Sequence, residues 1–343
     1  MTAAVTRELL ARLPKAELHV HLDGSLRPAT MLELADAAGV TLPADSPQAL
    51  ADHMLVREAK NLEEYLDRFV VTLSVMQTTA ALERIAYEFV TDVARENVRY
   101  VEVRYCPALH MPALSLEEAV EAPLAGLRRG EAETGTIARV IFCGLRTLPP
   151  ATSLDMARAA VRYRDHGIVA FDLAGAEARH PAADHVDAFR YAAEHGLAIT
   201  CHAGEGDGTA SIRQAIERCH AQRIGHGVRL HEDGDLERLV RDRGIPLEMC
   251  LTSNMHTRTV PDVSRHPIRR YFDAGIPVTL NTDSRLMDGV SLSDEYWKAH
   301  TRLGFDRSEL ERISLSAFEH AFLPEAEKRA LIERVARELE EIP

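Results

Sequence analysis

Short apolar runs recur along the chain, each rich in Val, Ile, Leu or an aromatic residue and each ending in polar or glycine-rich positions. Eight of them read as strands: 16–24 (AELHVHLDG), 99–107 (RYVEVRYCP), 138–145 (ARVIFCGL), 167–175 (GIVAFDLAG), 197–205 (LAITCHAGE), 222–227 (QRIGHG), 245–254 (IPLEMCLTSN) and 276–283 (IPVTLNTD). Between most of them lie stretches with helical spacing, such as LEEAVEAPLAGLRRGEAE, DHVDAFRYAAEHG and DLERLVRDRG, several stopped by Gly. Alternating strand and helix implies parallel strands joined by right-handed crossovers. Eight such units predict an α/β fold closed into a (β/α)8 TIM barrel rather than an open doubly wound sheet.

Residues 26–98 break this rhythm. They separate the first two strands by far more than a crossover needs, and they carry helical runs such as ATMLELADAAG, LEEYLDRFVVTLSVM and ALERIAYEFVTDVAREN. An insertion after a barrel strand is expected over the C-terminal mouth, where barrel enzymes keep their active sites. The competing reading, for its later half, is extra helices packed outside the barrel. After residue 284 the pattern predicts the last barrel helix, a follower and a terminal amphipathic helix. With no internal repeat or linker, residues 1–343 read as a single domain.

Composition narrows the function. The 343 residues are 46% hydrophobic and 27% charged, with a formal net charge of −13. That balance excludes the clustered Lys and Arg of a nucleic-acid footprint and offers nothing to an anionic membrane. Cysteines 106, 143, 201, 219 and 250 form no CxxC pair and read as buried small hydrophobes of a reducing compartment. No apolar run reaches membrane-spanning length, and charges interrupt the apolar start, so a cytoplasmic location is expected.

The chemistry sits at strand ends. His19 and His21, two apart on the first strand, face the same side. With 16 His in the chain such a pair alone means little. His202 ends the fifth strand, His226 the sixth and Asp283 the eighth. A barrel brings these ends to one mouth. Three His and a carboxylate suit Zn²⁺, which lowers the pKa of a bound water. The fourth strand, VAFDLAGAE, has no Lys to bridge a second metal, so one metal per chain is expected. The HxE and PCxxC pattern of cytidine-type deaminases is absent. Glu205, three residues beyond His202, follows a Gly turn that can return its carboxyl over the site; beside an apolar pocket such a group can donate a proton.

The motifs HVHLDG, DLAG, HAGE, GHG and NTD, in this order at these strand ends, resemble those of the adenosine deaminase family from residue 14 to about 323. The resemblance implies a (β/α)8 barrel with one catalytic zinc. It implies conversion of adenosine and 2′-deoxyadenosine to the inosines plus ammonia. By motif, His19, His21, His202 and Asp283 resemble the zinc ligands. Glu205 resembles the acid that protonates purine N1, and His226 the group that orients the attacking oxygen. Asp283 would also accept a proton. His21, Asp23, Gly175 and Ser284 are expected against the substrate: Asp23 at the ribose 5′-hydroxyl, the Gly175 backbone at purine N3, Ser284 at N7. Two departures bear on substrate preference. Ser284 stands where relatives carry a second Asp (NTDDP), and Ala176 where they often carry an acid. Competing expectations are a deaminase of a 5′-modified adenosine, such as 6-aminodeoxyfutalosine or 5′-deoxyadenosine, an adenine deaminase, or a non-catalytic relative.

Overall fold

The computed structural model describes residues 4–57 and 59–342. Eight strands form one sheet in chain order, every neighbouring pair parallel: β1 Lys15–His21, β2 Val98–Tyr105, β3 Ile137–Leu145, β4 Ile168–Ala174, β5 Ala198–Ala203, β6 Arg223–His226, β7 Leu247–Met249 and β8 Val278–Leu280. The sheet closes between β8 and β1 through candidate site residues. His21 N–H donates to the Asp283 carbonyl at 2.7 Å and Asp283 N–H to the His19 carbonyl at 3.0 Å. The expected barrel is present.

Two strands are shorter than their apolar runs suggest, for local reasons. β7 stops at Met249, and Thr252–Asn254, read above as strand, ride on the helix Leu251–His256. The Glu295 carboxylate accepts from the Thr252 amide and hydroxyl there, an acid satisfying the open donors of a helix start. β8 stops at Leu280 because Asn281 replaces ladder bonds with its side chain: its Oδ1 accepts from the amides of Leu18 (2.8 Å) and His19 (3.1 Å) on β1.

Alternation splits each strand between two environments. On β2, Val101 and Val103 join the apolar layer, while Glu102 and Arg104 enter polar contacts across the barrel. Instead of the apolar layers usual inside such barrels, this interior holds a buried ion network. Arg104 bridges Asp172 (2.8 Å) and Glu248 (2.9 Å), and Arg223 bridges Glu248 (2.6 Å) and Glu102 (2.5 Å).

Of the region 26–98, Leu62–Leu66 and Phe69–Ser74 contribute to the wall of a cavity at the mouth. The helix Thr79–Ala94 instead packs along Leu116–Thr134. That contact needs glycine: a Cβ at Gly126 would meet the Glu83 carbonyl at 2.1 Å, and one at Gly130 would meet Val90 Cβ at 2.6 Å. All five cysteines are free and buried. Among the described residues no helix is long and apolar enough to cross a membrane.

Candidate active site

The ends of β1 and β5 and the turn after β8 converge so that ligand atoms of His19, His21, His202 and Asp283 all lie within 4.8 Å of one another. His21 Nε2 is 3.2 Å from His202 Nε2. Asp283 Oδ1 is 3.4 Å from His19 Nε2 and 3.3 Å from His21 Nε2. The remaining ring nitrogens of two histidines are already engaged: His19 Nδ1 donates to Glu248 Oε2 at 2.7 Å, and His202 Nδ1 to Asp172 Oδ2 at 2.9 Å. Both rings therefore aim an Nε2 lone pair at the common centre. His19 Nε2 is buried without a hydrogen-bond partner, an expensive state unless a cation takes it. Burial holds His202 down at about 4, hence neutral and able to ligate. Burial opposes ionisation of Asp283, but the imidazoles of His19, His21 and His226 beside it keep its carboxyl well below the usual carboxylate range. Three imidazoles and a carboxylate form a donor set that fits a divalent, borderline-soft metal.

Asp172 and Glu248, which orient these rings, were not assigned roles from the sequence. The available signal was a lone acid inside an otherwise apolar strand, VAFDLAG and IPLEMC. Ser253 was also missed; its hydroxyl donates to Asp283 Oδ2 at 2.7 Å and fixes the second carboxylate oxygen. Asp283 and His226 both have φ of +63°, a left-handed conformation that costs a non-glycine residue about 1–3 kcal/mol. The chain turns inward at both.

Glu205 is buried beside this cluster. Burial, then the charges of Asp283 and Glu177, push its carboxyl well above the usual range, which favours the protonated acid. Its Oε1 accepts from Thr257 Oγ1 (3.1 Å) and Asn254 Nδ2 (3.4 Å). The proton is thereby left on Oε2, which lies 3.4 Å from His226 Nε2. The backbone carrying Glu205 is clamped by Glu177, whose carboxylate accepts from the amides of Gly204 (2.7 Å), Glu205 (2.9 Å), Gly206 (2.7 Å) and Asp207 (3.1 Å). Burial first, and then the neighbouring His19, push His226 well below its usual range, which favours the neutral ring.

The site opens into a cavity of about 420 Å³. Leu62, Tyr65, Leu66, Phe69 and Leu73 form an apolar cover; His21, His202, Glu205, His226 and Asp283 form a polar end. Gly175, Asp23 and Ser284 line it too, so every residue expected to contact substrate borders one space. Asp23 Oδ1 and Ser284 Oγ are buried without a partner, and burial raises the Asp23 carboxyl. Gly175, at φ +93°, turns the chain where a side chain would be strained. No Lys or Arg is among the described lining residues. Behind the cover, Tyr65 donates to Asp288 Oδ2 at 2.9 Å, while His256 Nδ1 holds Oδ1 at 2.8 Å.

This geometry has counterparts. The family profile described as adenosine deaminase matches residues 14–338. The adenosine deaminase of Mycobacterium avium (strain 104) is 40% identical, with 98% of each chain covered. Among solved structures, the adenine deaminase from Arthrobacter aurescens superposes with a TM-score of 0.89 at 26% identity, covering 96% of this chain and 99% of that one. An amidohydrolase from Burkholderia ambifaria with bound Zn gives 0.89 at 25% identity, covering 100% and 95%. With this barrel, a convergent metal-ligand cluster and a match along nearly its whole length, the chain belongs to the adenosine deaminase family and is an enzyme that removes an amino group from a purine.

Proposed function

We propose that the enzyme hydrolyses the 6-amino group of adenosine and 2′-deoxyadenosine, releasing inosine or 2′-deoxyinosine and ammonia, with one zinc per chain. The observation that carries this reading is the placing of Glu205, His226 and four candidate metal ligands at one end of one cavity. His19, His21, His202 and Asp283 would hold the zinc. When bound, it supplies Lewis-acid activation of a water near neutral pH. Glu205 gives the proton on Oε2 to purine N1, which leaves C6 short of electrons. His226 orients the attacking oxygen. Asp283 takes up the proton released by attack and passes it to the departing amine, its Oδ2 held in place by Ser253.

The remaining cavity residues select the substrate. An unpartnered buried Asp23 calls for a donor, and a ribose 5′-hydroxyl supplies one. A wall without cations gives a 5′-phosphate no partner. Gly175 faces N3 through its backbone and Ser284 faces N7. The specific observation favouring a second reading, a 5′-modified adenosine, is the apolar cover from Leu62 to Leu73, which suits an apolar 5′ extension.

The test compares adenosine, 2′-deoxyadenosine, adenine, 5′-deoxyadenosine and 6-aminodeoxyfutalosine by loss of absorbance at the adenine maximum. The two nucleosides with a free 5′-hydroxyl should lead in kcat/KM. A preference of about tenfold (~1.4 kcal/mol) for either 5′-altered compound overturns the assignment of Asp23. Metal analysis should return about one zinc per chain after mild dialysis; two, with activity following the second, would refute the single-metal reading.

A further inference from the structure

We propose that Asn254 and His266 are positioning residues that fix the protonation pattern of His226, making it a hydrogen-bond donor toward the reaction centre and keeping it out of the metal's ligand set. The direction of every bond follows from a backbone amide. The Ile268 N–H, which can only donate, reaches His266 Nδ1 at 3.2 Å. His266 Nδ1 is therefore the lone-pair nitrogen, and its proton sits on Nε2. That Nε2–H faces the Asn254 side chain at 3.1 Å, so the atom it meets is the carbonyl Oδ1. The amide cannot flip without setting donor against donor, so Nδ2 points the other way, to His226 Nδ1 at 3.0 Å. His226 Nδ1 accepts, and the ring carries its proton on Nε2.

That Nε2–H is the atom facing the chemistry. It is buried with no partner, 3.4 Å from Glu205 Oε2 and 3.9 Å from Asp283 Oδ2. Two consequences follow. A protonated Nε2 has no lone pair for a metal, although the His226 ring centroid lies 4.7 Å from that of His19, as close as a ligand's. This explains why a site ringed by four histidines uses three. The same Nε2–H can donate to an oxygen but cannot remove a proton from it, which leaves Asp283 as the acceptor. Asn254 also donates to Glu205 Oε1, so one amide sets the proton position on the acid and on the imidazole together. The catalytic role rests on the proposed deamination; the tautomer does not.

The experiment reads the tautomer directly. In ¹⁵N-histidine-labelled, zinc-loaded full-length enzyme, His226 is assigned by the signals lost in His226→Gln. It should show a protonated Nε2 and a bare Nδ1. His266→Phe should leave His226 distributed between tautomers and lower kcat by about 10- to 100-fold, the scale of removing an outer hydrogen-bond partner, with KM little changed. His266→Gln, whose amide can donate to Asn254 Oδ1, should recover the single tautomer and much of the rate. Asn254→Asp, an acceptor in place of a donor, should move the proton to Nδ1. A parent enzyme with Nδ1 protonated overturns the proposal, as does a His266→Phe variant with an unmoved tautomer and kcat. An Nε2-protonated His226 in an enzyme that deaminates no purine would sink the functional reading and leave the tautomer assignment standing.

Discussion

Glu248→Gln is the sharpest test of how the metal cluster is held. In the folded chain Glu248 accepts four bonds on two oxygens: Oε2 from His19 Nδ1 (2.7 Å) and Arg104 Nη2 (2.9 Å), Oε1 from Thr200 Oγ1 (2.9 Å) and Arg223 Nε (2.6 Å). Glutamine has the same shape but one oxygen and one NH2. Whichever way it turns, two buried donors meet a donor. With NH2 toward His19, the His19 proton is driven from Nδ1 to Nε2 and the ligand lone pair is lost. With NH2 toward Arg223, the metal cluster keeps its orienting oxygen and the ion network breaks instead. Removing one partner of a buried pair costs about 3–5 kcal/mol. At about 2.1 cal/mol/K of unfolding entropy per residue, 343 residues give about 0.7 kcal/mol/K, so 4 kcal/mol lowers Tm by about 6 °C. Losing the orienting group of a histidine ligand weakens metal binding about 10- to 100-fold. Calorimetry of the metal-free protein reads the first effect and chelator competition the second. A variant with Tm within about 1 °C of the parent, less than ~1 kcal/mol on this scale, and unchanged zinc affinity would refute the reasoning.

Other outcomes follow from the same geometry. Glu205→Gln should retain zinc but lose at least about 10²-fold in kcat, the scale of general acid catalysis; parent-like turnover would mean another group supplies the proton. Glu177→Ala frees four backbone donors that hold the Glu205 loop, so kcat should fall while zinc stoichiometry stays at the parent value; an unchanged rate would show that the loop holds itself. Burial pushes His110 and His256 down to about 4 and His266 to about 3, whereas each titrates near ~6.5 unfolded. The fold disfavours their charged forms, so this contribution to stability is full above about pH 6.5 and is lost as pH falls toward 4. Tm measured from pH 7.5 to 5 should decline, and His110→Gln should flatten the slope; an identical slope rules out His110 as a contributor.

What the sequence disclosed was what depends on neighbours along the chain. The i, i+2 spacing of His19 and His21, and the strand-end positions of His202, His226 and Asp283, were enough to expect one cluster; the structure brings His19, His21, His202 and Asp283 within reach of one another and His226 within reach of Asp283. Glu248 and Asp172 were hidden because their partners are distant: Glu248 lies 229 residues from His19, and a lone acid in an apolar strand does not name its partner. Asn254 was misread as strand because the run IPLEMCLTSN is uniformly apolar at its start, while the helix there depends on Glu295, far down the chain. The region 26–98 shows the same limit. Identical helical spacing serves a cover over the mouth and a helix on the flank, and what separates them is Gly126 and Gly130 in the partner helix.

The barrel interior also explains why the metal and the fold belong together. Among the joined groups, Arg104 and Arg223 carry two positive charges against the carboxylates of Glu102, Asp172, Glu248 and Asp283, all buried. The carboxylates outnumber the guanidinium groups by two in a region that water screens poorly. A divalent metal at the proposed site among His19, His21, His202 and Asp283 would supply that charge at the end of the network where Asp283 and the Asp172–His202 pair meet. Charge balance then ties the candidate ligands at the mouth to Glu102 on β2 through Glu248 and Arg223. Loss of a metal bound there should then be felt beyond the rim, the coupling of binding to folding expected where a site's ligands share one electrostatic network.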